Sequence, residues 1–456
     1  MTTPTWQRAI QEEWQARQDS AAAAASAKTA PLFPLAANPF GAEEIVAMTD
    51  VLLSGQLTLG EQTASAEREF AAKVGAPFAC MVNSGSSANL LAVAALTNRL
   101  RAKHCKPGDE VLIPAVCWST SLHPLLQCGL KPVWVDVDPS TLNVTLAELE
   151  KKMNPRVKAI LAVHVLGNAT CMPELLAFAK KHDLMLVEDT CESLGSLYED
   201  PTTGTKRFLG TAGDFGTYSF YFSHHITSGE GGMVVCQNED DYNLLRCLRA
   251  HGWTRHLTNA AEVDACYPDV DARFLFINLG YNLRPLEVQA AMLRVQVRKL
   301  DAFNACRRDN VARLVKALKS DLRFNARLSL MEPSAGMDPA WFGLAFVLKP
   351  EFETALSSYL AYLTSRGVEN RPIISGNFIR QPVVRDYCPG EDPLAYKGAE
   401  LLHSRGFFVG VHQLPVSDET IAQLVEIMLA PPLVKGAVAG TEVGVDVSAG
   451  AGDQNA

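Results

Sequence analysis

Residues 216–236 read GTYSFYFSHHITSGEGGMVVC and enclose two histidines and a glycine-rich turn between two apolar runs. The runs, GTYSFYF (216–222) and GGMVVCQ (231–237), have the length and composition of buried strands. They lie too close together for a helix to connect them, so simple β-α-β repetition is interrupted here. His224 and His225 would point to opposite sides if the strand continued through them. No neighbouring Cys or Asp completes a metal-ligand set, so we expect no metal at this turn.

Four apolar runs precede this stretch and alternate with amphipathic helical segments. They are EVLIPAV (110–116), KPVWVDVD (131–138), VKAILAVHVLG (157–167) and LMLVEDTCES (184–193). Continuous Val, Ile and Leu strands separated by helices predict a mainly parallel sheet that is covered on both faces.

The pattern changes after a long predicted helix near 286–316. WFGLAFVLK (341–349), a helix near 352–366 and VENRPIISG (368–376) indicate a smaller α+β domain. We therefore expect four parts, listed in chain order: an N-terminal extension (1–30), a large domain (31–310), a small C-terminal domain (311–432) and a disordered tail (433–456). The Ala-rich end of the extension and the Gly- and Ala-rich tail are typical of loosely attached segments.

The bulk composition favours an enzyme that acts on small molecules. The net charge of -9 argues against a nucleic-acid partner, because such proteins usually carry a clustered basic face. The eleven cysteines form no CxxC pair, which predicts reduced thiols and a cytoplasmic location. The N-terminus lacks the basic and apolar regions of a secretory signal, and no apolar run reaches the roughly 18 residues of a membrane span.

Three stretches place polar or aromatic side chains where a strand-like run ends. The loop at 83–87, NSGSS, precedes an apolar helix whose free N–H groups could face an anion, although Ser and Asn are equally common as plain N-caps. Trp118 could stack on a planar ring or lie in the core. Asp189 ends a buried strand and needs a partner, such as a protonated ring nitrogen, and Glu192 follows one turn later. Without a ligand, these acids would simply favour a helix N-terminus.

Six segments in order resemble the DegT/DnrJ/EryC1/StrS sugar aminotransferase family over about residues 34–429. They are NSGSSANLL, PAVCWST, VEDTCES, GDFGTYSF, GEGGMVV and LGYNLRPLE. The resemblance implies an α/β, aspartate aminotransferase-like fold, which is fold type I of the pyridoxal phosphate enzymes. It also implies that the large domain, with its mainly parallel mixed sheet, binds pyridoxal 5'-phosphate (PLP).

The family roles carry over to matching positions. Gly85, Ser86 and Ser219 would hold the cofactor phosphate. Asn282 would reach the phosphate in the neighbouring subunit, which implies a homodimer with shared active sites.

Three further positions match residues around the cofactor ring. The resemblance implies that Trp118 stacks on the ring, that Asp189 pairs with its nitrogen and that Glu192 binds the same cofactor.

His224 stands where most family members have the lysine that bonds covalently to the cofactor. Imidazole cannot form that stable linkage, so we expect ordinary transamination to be strongly impaired. The SHH sequence before a Gly-Gly turn is similar to the nucleotide-sugar 3-dehydratase subgroup. This similarity implies that His224 is the catalytic base, that pyridoxamine phosphate (PMP) is the reactive cofactor and that L-glutamate regenerates it.

The subgroup resemblance also implies the substrate and its context. We expect loss of the C3 hydroxyl from a nucleotide-linked 4-keto-6-deoxyhexose, most similar to GDP-4-keto-6-deoxy-D-mannose, in deoxysugar synthesis for lipopolysaccharide O-antigen. Arg255 and Arg284 are candidates for binding glutamate or the sugar diphosphate, because guanidinium matches both anions bidentately. Either arginine could instead pair with a structural carboxylate. His225 is a weaker substrate-binding candidate and could merely be a neighbour.

Other functions remain open at this point. An aminotransferase would need another lysine, but none lies between Lys206 and Lys299. An iron-sulfur-dependent CDP-sugar dehydrase would need four ligands; Cys191 matches one and the stretch after 255 offers only Cys266, so we expect no cluster. A silent binding protein would have no need of the intact ring-binding residues.

Overall fold

The structure is a computed structural model that describes residues 4–27, 31–37, 40–352 and 354–430. Its helices are α1 (Thr5–Ala27), α2 (Ala42–Ser54), α3 (Glu61–Val74), α4 (Gly85–Leu96), α5 (Ser119–Gln127), α6 (Leu146–Lys152), α7 (Met172–Lys181), α8 (Glu239–Arg249), α9 (Ala260–Ala265), α10 (Glu287–Ser320), α11 (Phe324–Arg327), α12 (Leu356–Ser365), α13 (Pro382–Tyr387), α14 (Lys397–Arg405) and α15 (Asp418–Met428).

The strands include a central set and two smaller sets. They are β1 (Phe78–Val82), β2 (Glu110–Pro114), β3 (Lys131–Val135), β4 (Val157–Val163), β5 (Met185–Asp189), β6 (Leu197–Glu199), β7 (Lys206–Phe208), β8 (Phe215–Ser219), β9 (Gly232–Cys236), β10 (Leu328–Leu330), β11 (Met337–Asp338), β12 (Gly343–Leu348), β13 (Asn370–Pro372) and β14 (Gly406–Gly410).

The central sheet has seven strands in the order β1-β9-β8-β5-β4-β2-β3. β9 runs antiparallel to both of its neighbours, and the other strand pairs are parallel. Every residue of β2, β5, β8 and β9 is buried, which explains why these strands read as continuous apolar runs. The predicted α/β fold with a mainly parallel mixed sheet is confirmed.

The histidine stretch departs from the prediction in one respect. β8 ends at Ser219, so the aromatic run to 222 leaves the sheet before the histidines. Ser219 pairs with Gly232, and the next residue, Phe220, donates its N–H to Gly231 O (2.8 Å). Phe220 O then accepts from Ser228 N (3.0 Å) and closes the loop. Both histidines therefore belong to a loop, and strand alternation does not determine where they point.

A second sheet follows the long helix α10. Its strands have the order β10-β12-β14-β13 and are all antiparallel, which agrees with a smaller α+β unit. α10 is continuous from Glu287 to Ser320, so the predicted boundary at 310/311 falls inside a helix. The division into two domains stays a prediction.

The N-terminal part of the chain contains the first helix. The helix-prone extension forms α1, whose Trp14 ring lies 5.7 Å from the Phe40 ring next to α2. The predicted disordered tail, 433–456, lies outside the described residues. Within the described ranges, no helix combines the length and apolar character needed to cross a membrane.

Candidate active site

A cavity of about 590 Å³ lies at the carboxyl ends of the parallel strands. This is the edge at which open α/β sheets bind ligands. Seven of the residues singled out in the sequence line the cavity: Gly85, Ser86, Trp118, Asp189, Glu192, Ser219 and His224. They come from five separate parts of the chain, and the sheet brings them together.

The N-terminus of α4 forms one end of the cavity. Ser84 caps this helix by accepting a hydrogen bond from Ser87 N (3.1 Å), so capping and an anion site coexist in one loop. Gly85 lies so close to β8 that an added Cβ would collide with the Ser219 side chain. The Ser86 side chain is exposed toward the cavity. Free amides and hydroxyls at the start of a twelve-residue helix suit a phosphate group.

Asp189 is buried at the end of β5 and is held by neutral donors. Its Oδ2 accepts from Asn89 Nδ2 (2.8 Å) and Ser121 Oγ (2.8 Å), and its Oδ1 accepts from Cys191 N (3.2 Å). Asn89 is oriented in turn by Thr217 Oγ1, which donates to Asn89 Oδ1 (2.6 Å). The donors fix the carboxylate without neutralising it, so the arrangement fits a protonated ring nitrogen in the cavity.

Glu188, the residue before Asp189, has a structural role. Its carboxylate accepts from the backbone N–H groups of Gly210 (2.8 Å) and Gly213 (2.8 Å) and lies 3.0 Å from His164 Nε2. Burial alone would raise the pKa of Glu188, but these hydrogen bonds hold it below its ordinary value. Of the two adjacent acids, only Asp189 lines the cavity.

Trp118 and Glu192 line other parts of the cavity wall. Trp118 is the N-cap residue of α5 and is 56% exposed, so it is not a core side chain. Glu192 accepts a hydrogen bond from Leu166 N (3.1 Å). Burial raises the pKa of Glu192 to about 7, and the nearby charge of Asp189 adds to this. The residue can therefore carry a proton near neutral pH.

His224 lies in the β8–β9 loop with its imidazole on the cavity. Its ring stands edge-on to Phe342 (5.2 Å between centroids) and to Tyr221 (6.0 Å). Nδ1 is buried without a hydrogen-bond partner, and the ring also interacts with the backbone of Cys191 and Ser219. Burial lowers the pKa of His224 to about 4. The imidazole is therefore neutral at ordinary pH and can accept a proton.

His225 does not line the cavity, and its assignment to substrate binding stays a prediction. The residue is fully buried, and its Nε2 lies 2.6 Å from Ala340 O. Both histidine rings lie near the Phe342 ring, at 5.2 Å and 5.8 Å between centroids, so the strand-based expectation of opposite sides does not describe them.

The other three predicted residues also lie outside this chain's own cavity. Arg255 is exposed and lies over the Trp253 ring (5.2 Å). Arg284 Nε donates to Asn282 Oδ1 (2.9 Å), and Asn282 is exposed. The residue between them, Leu283, accepts a hydrogen bond from Asn83 N (3.1 Å) next to α4. Their proposed contacts with ligand or with a neighbouring subunit stay predictions.

Arg371 of β13 was not singled out from the sequence, although it lies in VENRPIISG. Among the described residues, it is the one Lys or Arg that lines the cavity. Its Nη1 donates to the carbonyl of Asn370 (2.9 Å). Pattern alone could not find it, because it comes from the small sheet some 150 residues beyond His224. Asn89 could have been found, since it lies inside the quoted NSGSSANLL.

The lysines and the cysteines bear on the aminotransferase and iron-sulfur alternatives. No lysine from the described ranges lines the cavity. All eleven cysteines are free, and no three His, Cys, Asp or Glu side chains of the described residues are grouped as metal ligands. The absence of an iron-sulfur cluster stays a prediction.

The chain is similar to known proteins over most of its length. The model of the DegT/DnrJ/EryC1/StrS aminotransferase family matches residues 39–429. The chain is 37% identical over 389 residues, 85% of this chain and 97% of the relative, to GDP-4-keto-6-deoxy-D-mannose 3-dehydratase of Escherichia coli O55:H7. It is 34% identical over 362 residues, 76% of this chain and 80% of the relative, to the lipopolysaccharide biosynthesis protein RfbH of Salmonella typhimurium.

A solved structure extends the comparison to three dimensions. It is GDP-4-keto-6-deoxymannose-3-dehydratase with a trapped PLP-glutamate geminal diamine. The two chains are 36% identical and superpose with a TM-score of 0.79 over 87% of this chain and all of the other.

Proposed function

The chain belongs to the DegT/DnrJ/EryC1/StrS aminotransferase family, and from this premise we propose that it is a PLP- and PMP-dependent nucleotide-sugar 3-dehydratase. The substrate is a nucleotide-linked 4-keto-6-deoxyhexose, with GDP-4-keto-6-deoxy-D-mannose as the first candidate. L-glutamate restores the amine form of the cofactor after each turnover. The similarity to relatives that act on this sugar supports the substrate.

The observation that carries the proposal is the histidine at position 224. A neutral imidazole lines the cavity there, and no lysine from the described ranges does. The aminotransferase alternative requires a primary amine next to the cofactor. If the protein were a catalytically silent binding protein, the buried carboxylate of Asp189 and the exposed indole of Trp118 in the cavity would have no assigned role.

The cavity fits the cofactor on three observations. A helix N-terminus with Gly85 packed against Ser219 suits the phosphate, Trp118 offers a flat face, and the Asp189 carboxylate lacks a cationic partner among the contacts described above. Bound PMP would supply the amine that joins the sugar at C4 and the ring that takes up electrons as the C3–O bond breaks.

The chain's own residues would orient the reactants and move protons. Asp189, fixed by Asn89 and Ser121, would keep the ring nitrogen protonated. His224 Nε2 would accept a proton from the bound reactant because its imidazole is neutral, and it could then pass that proton to the departing C3 hydroxyl. Glu192, with its pKa raised to about 7, could hold a second proton in the same cavity.

The anionic groups of the substrates need positive charge. Arg371 would provide this positive charge within the chain. The cavity wall otherwise includes the acidic residues Asp189, Glu192 and Glu230. Arg255 and Arg284 would provide it across a subunit interface.

We further propose a homodimer with shared active sites, in which Asn282 reaches the neighbouring cofactor phosphate. The surface around Asn282 supports this, because it exposes large apolar side chains. Leu279 is 89% exposed, and Phe276 and Leu286 are about half exposed. A patch of this kind marks an interaction surface. The free cysteines favour the cytoplasm as the location.

The direct test uses the purified protein with PLP, glutamate and GDP-4-keto-6-deoxy-D-mannose. The proposal expects equal amounts of 2-oxoglutarate, ammonia and a 3-deoxy sugar that contains no nitrogen. His224→Asn should lower turnover by about 10²- to 10⁴-fold, the usual contribution of a general base, while PLP binding is retained. An aminated sugar as the product would overturn the proposal, and a panel of other 4-keto-6-deoxy nucleotide sugars would correct the substrate.

A further inference from the structure

The second histidine of the pair has a defined and buried set of contacts. His225 is 0% exposed, and its Nε2 lies 2.6 Å from Ala340 O. A carbonyl only accepts hydrogen bonds, so Nε2 carries the proton and donates it. Burial and the nearby charge of Arg307 lower the pKa of His225 well below its ordinary value, so the ring is neutral. His225 is therefore a fixed donor and is not available to a ligand.

The acceptor belongs to a short segment, 340–342, that is held on several sides. Ala340 N donates to Ser196 Oγ (2.8 Å). Trp341 O accepts from Arg307 Nη1 (3.1 Å) of α10. Phe342 N donates to Leu166 O (3.1 Å) in the turn after β4. A segment bound at each of its residues gives the histidine loop a rigid anchor.

The same segment also contacts the base directly. The Phe342 ring meets the His224 ring edge-on at 5.2 Å and lies 5.8 Å from the His225 ring. The His224 Nδ1 has no hydrogen-bond partner. The orientation of the imidazole therefore depends on its backbone interactions with Cys191 and Ser219 and on packing against neighbours such as Phe342.

We propose that His225 is a positioning residue, whose hydrogen bond to Ala340 O ties the histidine loop to segment 340–342 and so sets the packing of Phe342 against the imidazole of His224. The inference rests on the proposed function in that His224 is taken as the base. It goes further by giving the second histidine a role that is distinct from substrate binding and from proton transfer.

The test compares three substitutions in the holoenzyme. His225→Gln keeps an N–H donor near the position of Nε2, His225→Asn has a shorter side chain that cannot reach Ala340 O, and His225→Phe keeps the ring without the donor. His182→Phe is the matched control, because its ring lies at the surface beside Glu150. For each variant, the conversion of bound PLP to PMP by glutamate is followed by absorbance, and sugar dehydration is followed separately.

A misplaced catalytic group costs up to about 10²-fold in rate. We expect His225→Phe and His225→Asn to lower kcat about 10- to 100-fold in both half-reactions, with KM for glutamate and sugar within about twofold of the wild type. His225→Gln should recover most of the rate, and His182→Phe should behave as the wild type. PLP affinity should not change.

Other outcomes would overturn the proposal. Wild-type rates in His225→Asn, a rise in KM alone, or equal losses in the Gln and Asn variants would each do so. If His225→Phe does not fold, the Gln and Asn pair still decides. The glutamate half-reaction needs no sugar. If the proposed sugar is not the substrate, the wild type will show no dehydration, but the variants can still be compared by their glutamate half-reactions.

Discussion

Position 224 shows how one side chain changes what a cavity can do. A lysine there would present a primary amine that bonds covalently to a cofactor aldehyde. The imidazole of His224 packs edge-on against Phe342 and interacts with the backbone of Cys191 and Ser219, and burial lowers its pKa to about 4. It is therefore neutral throughout the ordinary pH range and can only exchange protons.

The first prediction concerns His224→Lys. The amine should form a covalent adduct with PLP that borohydride reduces and mass spectrometry detects, whereas wild-type protein should give none. Dehydration should be lost, because the neutral proton acceptor is gone. His224→Asn is the control and should show no adduct and turnover lowered by about 10²- to 10⁴-fold. Full dehydratase activity in the lysine variant would refute the assignment of the base.

The second prediction uses the raised pKa of Glu192. A carboxyl with a folded-state pKa of about 7 stabilises the fold fully below its ordinary value of 4.5, and this contribution is lost as pH rises toward 7. Glu192→Gln stays neutral, so its stability should match the wild type at pH 4, below the ordinary pKa of 4.5. At pH 8 it should exceed the wild type by about 1 to 3 kcal/mol, the lower figure allowing for water in the cavity.

Urea unfolding of the cofactor-free chain at the two pH values measures this difference. His224 contributes in the opposite sense, since its stabilisation is lost as pH falls from 6.5 toward 4. That contribution is present in both proteins and cancels in the comparison. An equal free energy of unfolding for the two proteins at pH 8 would contradict the prediction.

At the scale of elements, the start of α4 is the most constrained part of the site. An added Cβ on Gly85 would collide with Ser219, whereas the Ser86 side chain faces the cavity. Gly85→Ala should therefore weaken PLP binding at least about tenfold and also lower the free energy of unfolding, by about 1 to 3 kcal/mol for an overpacked contact.

Ser86→Ala is the matched comparison, because it removes a hydroxyl without adding volume. It should weaken PLP binding and leave stability nearly unchanged. PLP titration and thermal unfolding separate the two effects. Equal stability losses in both variants would show that the close approach of α4 to β8 is not what requires the glycine.

Much of the fold could be predicted because buried parallel strands have an unmistakable composition. The runs that became β2, β3, β4 and β5 all carry a strand where one was expected. The ends of the strands were less predictable. The aromatic run extends to 222, but β8 ends at Ser219, and Tyr221 and Phe222, 47% and 45% exposed, lie outside the sheet. Hydrophobicity does not distinguish such residues from the strand before them.

The candidate site was predictable where a motif and a strand end coincide, as at Asp189 and Trp118. It was not predictable where a contact joins distant segments. Ala340 O lies 2.6 Å from His225 Nε2, and Arg371 reaches the cavity from the small sheet. Neither relation is a spacing in the chain, so neither leaves a periodic signal.

At the scale of the whole molecule, shared active sites have a measurable consequence. In a mixed dimer of His224→Asn and Asn282→Ala subunits, one site carries both changes and the other carries neither. Mixing the two inactive proteins, with dissociation and reassociation, should restore about a quarter of wild-type activity, because about half of the dimers are mixed and each has one intact site.

Activity is measured before and after mixing, and each variant treated alone is the control. A pair of His224→Asn and Ser219→Ala gives a second comparison, since these groups line the same chain's cavity. Each site in its mixed dimers carries one of the two changes, so this mixture should recover no activity. No recovery in the first mixture would indicate that each chain completes its own site.

The uninterrupted helix α10 limits how the molecule can flex. Its 34 residues form a rod of about 50 Å that begins beside the Asn282 surface and ends at the small sheet. Positions 310/311 lie inside this helix, so we expect no protease cleavage there. The small sheet likewise has no hinge at that point about which it could rotate. The helix therefore connects the large domain to the small sheet as one continuous rod, without a hinge at that point.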